Sequence, residues 1–196
     1  MVRFVFARLI WDHQVEALAH FRMPGCRWFD LHIGPEPGAP MGRKGRVLAA
    51  AWQQLHEPQT AGMLLLDGDV AIDPLDMAAM QAAIGGDPLA VHVAPVRLWP
   101  QSTQQPDWSW AHWDEGQGLS QEWSSTPDRW SFNFTYVPAK VLNTAITEGI
   151  AAGPRKRLKM PEWTFPTVDM KLNQVAQECG VKAKVVEDCH PKHMHY

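Results

Sequence analysis

The chain has 196 residues, 45% of them hydrophobic, with 18 Lys and Arg against 21 Asp and Glu, a formal charge of −3. That length predicts one domain, and the hydrophobic share is enough for a packed core, which excludes an intrinsically disordered chain. The near-neutral charge argues against a protein that coats nucleic acid, and no apolar run reaches the roughly 18 residues of a membrane span.

The first ten residues read as a strand without a small-residue cleavage site, so no signal peptide is expected. Cys26, Cys179 and Cys189 are widely spaced and form no C-x-x-C pair. They predict a reduced, cytoplasmic chain with free thiols. The composition is unusual in its tryptophans: ten against two tyrosines, with six of the ten between Trp99 and Trp130.

In chain order, residues 3–10 are apolar at nearly every place and predict a buried strand. Asp12 can cap a helix over 13–22, which Pro24-Gly25 ends. A second strand follows over 28–33. Residues 34–42 hold Pro35, Pro37 and Pro40 and predict a loop. Residues 43–56 form the best helix in the chain, with Val47, Leu48, Ala51 and Leu55 on one face. Gly62-Met63-Leu64-Leu65-Leu66 predicts a central strand covered on both faces. Pro74 opens a helix that Gly85-Gly86 closes. A strand is expected over 89–98, another over 131–137, a helix over 138–148, a helix over 168–179 and a last strand over 181–186. The alternation predicts a three-layer α/β/α sandwich around a mostly parallel mixed sheet. It breaks over 99–130, where a long stretch rich in Trp, Gln, Ser, Asp and Pro predicts a functional loop insertion within a single domain, 1–196.

Asp67-Gly68-Asp69 follows the most apolar strand. Ligands of parallel α/β sheets bind at the C-terminal strand edge. Two carboxylates flanking a glycine can face one hard cation, Mg²⁺ or Mn²⁺, and such ions commonly bridge phosphates. With 12 Asp, an Asp-x-Asp is expected about 0.7 times by chance, from (12/196)² × 194. Its place after Met63–Leu66, and not its mere presence, makes it a candidate site. Close by in sequence, Gly42-Arg43-Lys44-Gly45-Arg46 puts three cations at a helix start. They could neutralise a diphosphate, but they oppose the helix dipole there.

The order of elements and the run Leu64-Leu65-Leu66-Asp67-Gly68-Asp69-Val70 resemble GT-A glycosyltransferases, a Rossmann-related fold. The resemblance implies a DxD motif on which Asp69 binds Mn²⁺ or Mg²⁺ directly. Asp67 would reach the ribose, or the metal through water. It also implies a UDP- or GDP-type sugar donor, touched by Ala7, Arg8, Arg43, Lys44, Arg46, Asp67 and Gly68. Ser131–Pro138 resembles the family's acceptor-side strand. Asp169, in the run Pro166-Thr167-Val168-Asp169, matches the acidic residue that serves many inverting members as general base. A capping role for Asp169 is the alternative, because a carboxylate is stabilised at a helix start. Members also complete the metal site with a His after the last core strand, a place that His193 or His195 matches, with His190 third.

The Trp-rich interval suits sugar recognition, since indoles offer flat apolar platforms at low entropic cost. Two or three indoles should anchor the loop, while Trp108, Trp110, Trp113 and Trp163 are candidates for the acceptor side. Arg155-Lys156-Arg157-Leu158-Lys159 reads as a clamp on a leaving diphosphate, as a solvated turn, or as a contact for an acidic acceptor such as DNA. The leading expectation is a metal-dependent glycosyltransferase acting on a protein, glycan, lipid or modified DNA base. The alternatives are an Asp-x-Asp phosphatase, a metal nuclease built on Asp169-Met170-Lys171, and a non-catalytic carbohydrate-binding module.

Overall fold

The computed structural model describes residues 2–11, 29–33, 40–68, 70–95, 97–98, 113–114, 118–119, 130, 134–150 and 168–193. The main sheet has six strands: β1 (Arg3–Trp11), β2 (Phe29–Ile33), β3 (Thr60–Asp67), β5 (Val91–Val93), β9 (Phe134–Pro138) and β10 (Ala183–Val185). Their spatial order is β10-β5-β9-β3-β1-β2. Only β9 is antiparallel to its neighbours, β3 and β5; the other adjacent pairs are parallel.

The alternation of side chains along β1 and β3 builds two cores. Val5, Ala7, Leu9, Met63 and Leu65 pack on one face against Leu48 and Trp52 of α1 (Pro40–Leu55). The same core takes Val141, Leu142 and Ala145 of α3 (Ala139–Thr147) and Leu172 and Val175 of α4 (Val168–Glu178). On the other face Phe6, Leu64 and Leu66 meet Met77, Met80 and Ile84 of α2 (Pro74–Gly86). The result is the α/β/α sandwich the alternation predicts. With helices on both faces, β3 has no solvent side, and Gly62 through Asp67 are all buried.

Boundaries depart from the sequence expectation in instructive ways. The helix expected from residue 43 begins at Pro40, because proline at a first helical position forfeits no hydrogen bond. The single strand expected over 89–98 divides into β5 and β6 (Arg97–Leu98). Ala94 N–H still bonds Phe134 O at 3.0 Å, but Pro95 has no N–H to continue the ladder. β6 joins β4 (Val70–Ala71) and β11 (Lys192–His193) in a small second sheet of order β4-β11-β6. A further hairpin pairs β7 (Trp113–Asp114) with β8 (Gly118–Leu119). The helix expected over 13–22 and the loop over 155–165 lie outside the described residues. Of the tryptophans in the interval 99–130, Trp130 is buried in the core against the α1 face, the anchoring role expected for part of that group.

His92 makes the sheet sensitive to acid. It lies in β5 in register with Lys184 of β10 and Tyr136 of β9, and is 2% exposed. Nε2 donates to Asp87 O at 2.8 Å, while Nδ1 is buried with no hydrogen-bond partner among the described residues. A proton on Nδ1 would bury a charge facing no acceptor among them. Burial therefore holds the imidazole below its usual value, against the smaller pull of Asp87. The unfolded chain binds that proton more readily. Stability from neutral His92 is thus complete above the ordinary pKa of 6.5 and is lost as the pH falls below it. Urea unfolding between about pH 7 and about pH 5 should show a falling midpoint, and His92→Leu should flatten that dependence.

Candidate functional site

The C-terminal edge of the parallel strands gathers charge on both faces of the sheet. Asp67 ends β3 opposite Leu9 of β1, and alternation turns it to the α1 face. There Lys44, in the second turn of α1, places Nζ 2.8 Å from Asp67 Oδ1. Both residues are buried, at 5% and 7% exposure. The cost of a cation near a helix start is thereby offset, because Lys44 belongs to a carboxylate on the adjacent strand. Arg46, two residues on, is exposed. Lys44 and Asp67 were expected on one nucleotide, and the fold brings them into direct contact.

Arg8 lies one residue before Leu9 and therefore on the opposite face. It pairs in register with Asp30 of β2. Its Nε and Nη2 donate to Asp30 Oδ1 and Oδ2 at 2.9 and 3.0 Å, a bidentate fork. Arg8 is 2% exposed, while Asp30 keeps part of its carboxylate open at the edge. Sequence reasoning missed Asp30. Its signal was a carboxylate between the apolar Phe29 and Leu31, at a place where alternation turns it away from their core. Ala7 is fully buried on the α1 face.

The C-terminal segment closes on the same edge. After β10 the chain turns through Glu187 and Asp188, buries Cys189 and enters β11. β11 runs antiparallel to β4, with His193 opposite Val70 and Lys192 opposite Ala71. Val70 is the residue after Asp69, so this register carries His193 to the segment that bears the second carboxylate of the motif. A two-residue strand formed only by distant pairing leaves no periodic trace in sequence, so neither β4 nor β11 was foreseen. Asp69 and His195 lie outside the described residues.

Asp169 stands in the first turn of α4, partly buried. Two residues on, Lys171 is 1% exposed and puts Nζ 3.0 Å from Glu148 Oε2, which ties α4 to the end of α3. Arg43 lies in the first turn of α1, and Gly68 follows β3 in a turn. Trp113 lies in β7. Trp108, Trp110 and Trp163 are outside the described residues. Among the described residues no cluster of three His, Cys, Asp or Glu side chains could by itself hold a metal ion.

No protein-family model and no curated protein matches this sequence. Solved structures do resemble it. A197 from STIV shares 11% identity over 99% of this chain and 86% of its own, at a TM-score of 0.54. A glycosyltransferase involved in the glycosylation of the major capsid of PBCV-1 shares 15% identity over 98% and 95%, at 0.48. The inositol-1-phosphate CTP transferase from T. maritima shares 12% identity over 99% and 70%, at 0.46. The first likeness shows a shared fold and nothing of activity. No helix among the described residues is long and apolar enough to cross a membrane.

The Lys44–Asp67 pair makes a quantitative demand. Removing one partner of a buried ion pair costs more than the pair itself contributes. Lys44→Ala should destabilise the fold by about 3 kcal/mol in urea unfolding, and Arg46→Ala by under about 0.5 kcal/mol. Lys44→Met combined with Asp67→Leu should recover most of the loss, since no buried charge then remains.

Proposed function

We propose that the chain is a metal-dependent glycosyltransferase that moves a sugar from a nucleotide-diphosphate donor to an acceptor hydroxyl. The observation that carries this reading is the β4–β11 register. It pairs the strand that carries His193 with Val70 and Ala71, the two residues that follow Asp67-Gly68-Asp69 in sequence. Carboxylate and imidazole together suit Mn²⁺ and, less well, Mg²⁺, so the donor set fits the ion. Asp69 and His193 would hold it, with His195 as the other candidate. Bound there, the ion supplies electrostatic stabilisation of the departing diphosphate.

The chain's own residues supply the rest. Asp67, held at Oδ1 by Lys44, would serve the donor ribose or a bridging water. Arg43 and Arg46 would set positive charge on the diphosphate side, with Lys44 held on Asp67 beside them. Asp169, at the head of α4, takes the acceptor proton if the transfer inverts; such a base works only within hydrogen-bond reach of that hydroxyl. The Trp-rich interval, with Trp108, Trp110 and Trp113, and Trp163 supply platforms for the acceptor. The nuclease alternative loses ground, because the lysine of Asp169-Met170-Lys171 is buried against Glu148.

A ligand that binds only the folded state raises its stability. With Mn²⁺ present, a UDP- or GDP-sugar at about a hundred times its Kd should raise the melting temperature by about 5 °C or more. Without the ion the rise should vanish. No shift with any nucleotide sugar, with or without Mn²⁺, would end the proposal. Asp69→Asn should abolish the metal-dependent shift; a carbohydrate-binding module would keep its sugar ligand in that variant.

A further inference from the structure

Beyond the groups that would touch metal or donor, the segment carrying His193 must be held in place. We propose that Asp76 is the positioning residue that does so. The proposal rests on the reading of Asp69 and His193 as metal ligands. Asp76 sits in the first turn of α2 and is 5% exposed. Its two oxygens serve different stretches of chain. Oδ2 accepts the backbone N–H of Asp73 at 2.9 Å. That bond is half of a capping box, completed by Asp73 Oδ1 accepting from Leu75 and Asp76 N–H. Oδ1 accepts the backbone N–H of His190 at 2.6 Å. Cys189, fully buried, donates Sγ–H to Asp76 O at 3.6 Å, a second tie between the same two segments.

The placement matters more than the number of bonds. Asp73 lies four residues after Asp69, with β4 between them. His190 lies three residues before His193, with β11 just beyond. One buried carboxylate therefore clamps both chain segments that carry the candidate ligands. The β4–β11 ladder between them is only two residues long and would be weak alone. Hydrogen bonds to a charged acceptor are the stronger kind, and this one replaces freedom of the tail with a fixed register. A helix cap alone would need only the bond to Asp73, so the bond to His190 is the part that capping does not explain.

The test measures Mn²⁺ affinity directly, from the electron paramagnetic resonance signal of free Mn²⁺, with no donor or acceptor present. Asp76→Asn offers one acceptor oxygen where two N–H groups need one. His193→Ala and Asp76→Asn should each weaken Mn²⁺ binding about tenfold, and the double variant should be no weaker than the worse single one within about twofold. Asp73→Ala, which loosens the same helix cap without touching His190, should change the affinity less than about threefold. His190→Pro deletes the donated N–H and should weaken binding about tenfold relative to His190→Ala, which loses the imidazole and keeps the N–H. If Asp76→Asn does not fold, this second pair of variants decides. Wild-type affinity in both Asp76→Asn and His190→Pro, with His193→Ala weakened, overturns the role of Asp76 alone. Factors that multiply in the double variant overturn it too. Wild-type affinity in His193→Ala overturns the reading of His193 as a ligand, and the positioning role with it.

Discussion

The architecture turns on the end of β3. This strand has neighbours on both edges and helices on both faces, so its residues from Gly62 to Asp67 are all buried. A carboxylate that ends such a strand leaves the core at the moment it needs solvation or a counter-charge. Lys44 provides that charge from α1, and the contact fixes how the helix start meets the sheet edge. What is a cost for the helix taken alone becomes an ion pair once the helix packs on the sheet.

On the opposite face Arg8 and Asp30 form a second ion pair, buried at the arginine and partly open at the carboxylate, in register across β1 and β2. The two pairs differ in kind. Lys44 offers a compact point charge to Asp67, whereas Arg8 is held by a planar fork. The sheet edge thus carries an ion pair on each of its faces. The small β4-β11-β6 sheet extends this edge beyond β3 and brings the C-terminal segment back over it.

Much of the framework was legible because it rests on local pattern. The apolar run of β3 and the helical spacing in α1 predicted their elements to within a few residues. Pro74 and Gly85-Gly86 bracketed α2, although the helix runs on through both glycines. Gly180, with φ +66°, closes α4 where the sequence put a stop. The capping box over Asp73 and Asp76 is visible in sequence as Asp-x-x-Asp, but nothing in that spacing announces a third partner in His190. The division of residues 89–98 between two sheets was hidden, since a strand's sheet membership depends on which distant chain offers it hydrogen bonds.

The sequence by itself determined the layer order of the sandwich, the burial of β3 and the placing of Asp67 at its end. These follow from periodicity and from the energy of removing apolar side chains from water, which act over a few residues. Only the tertiary structure decided which charges meet: Lys44 with Asp67, Arg8 with Asp30, and Asp76 with the backbone of His190. It also decided that a two-residue strand near the C-terminus lies beside Val70. Such contacts join residues far apart in the chain, and their partners are chosen by register and by the handed crossing of helices over the sheet. A sequence read locally contains the charges but not the geometry that pairs them.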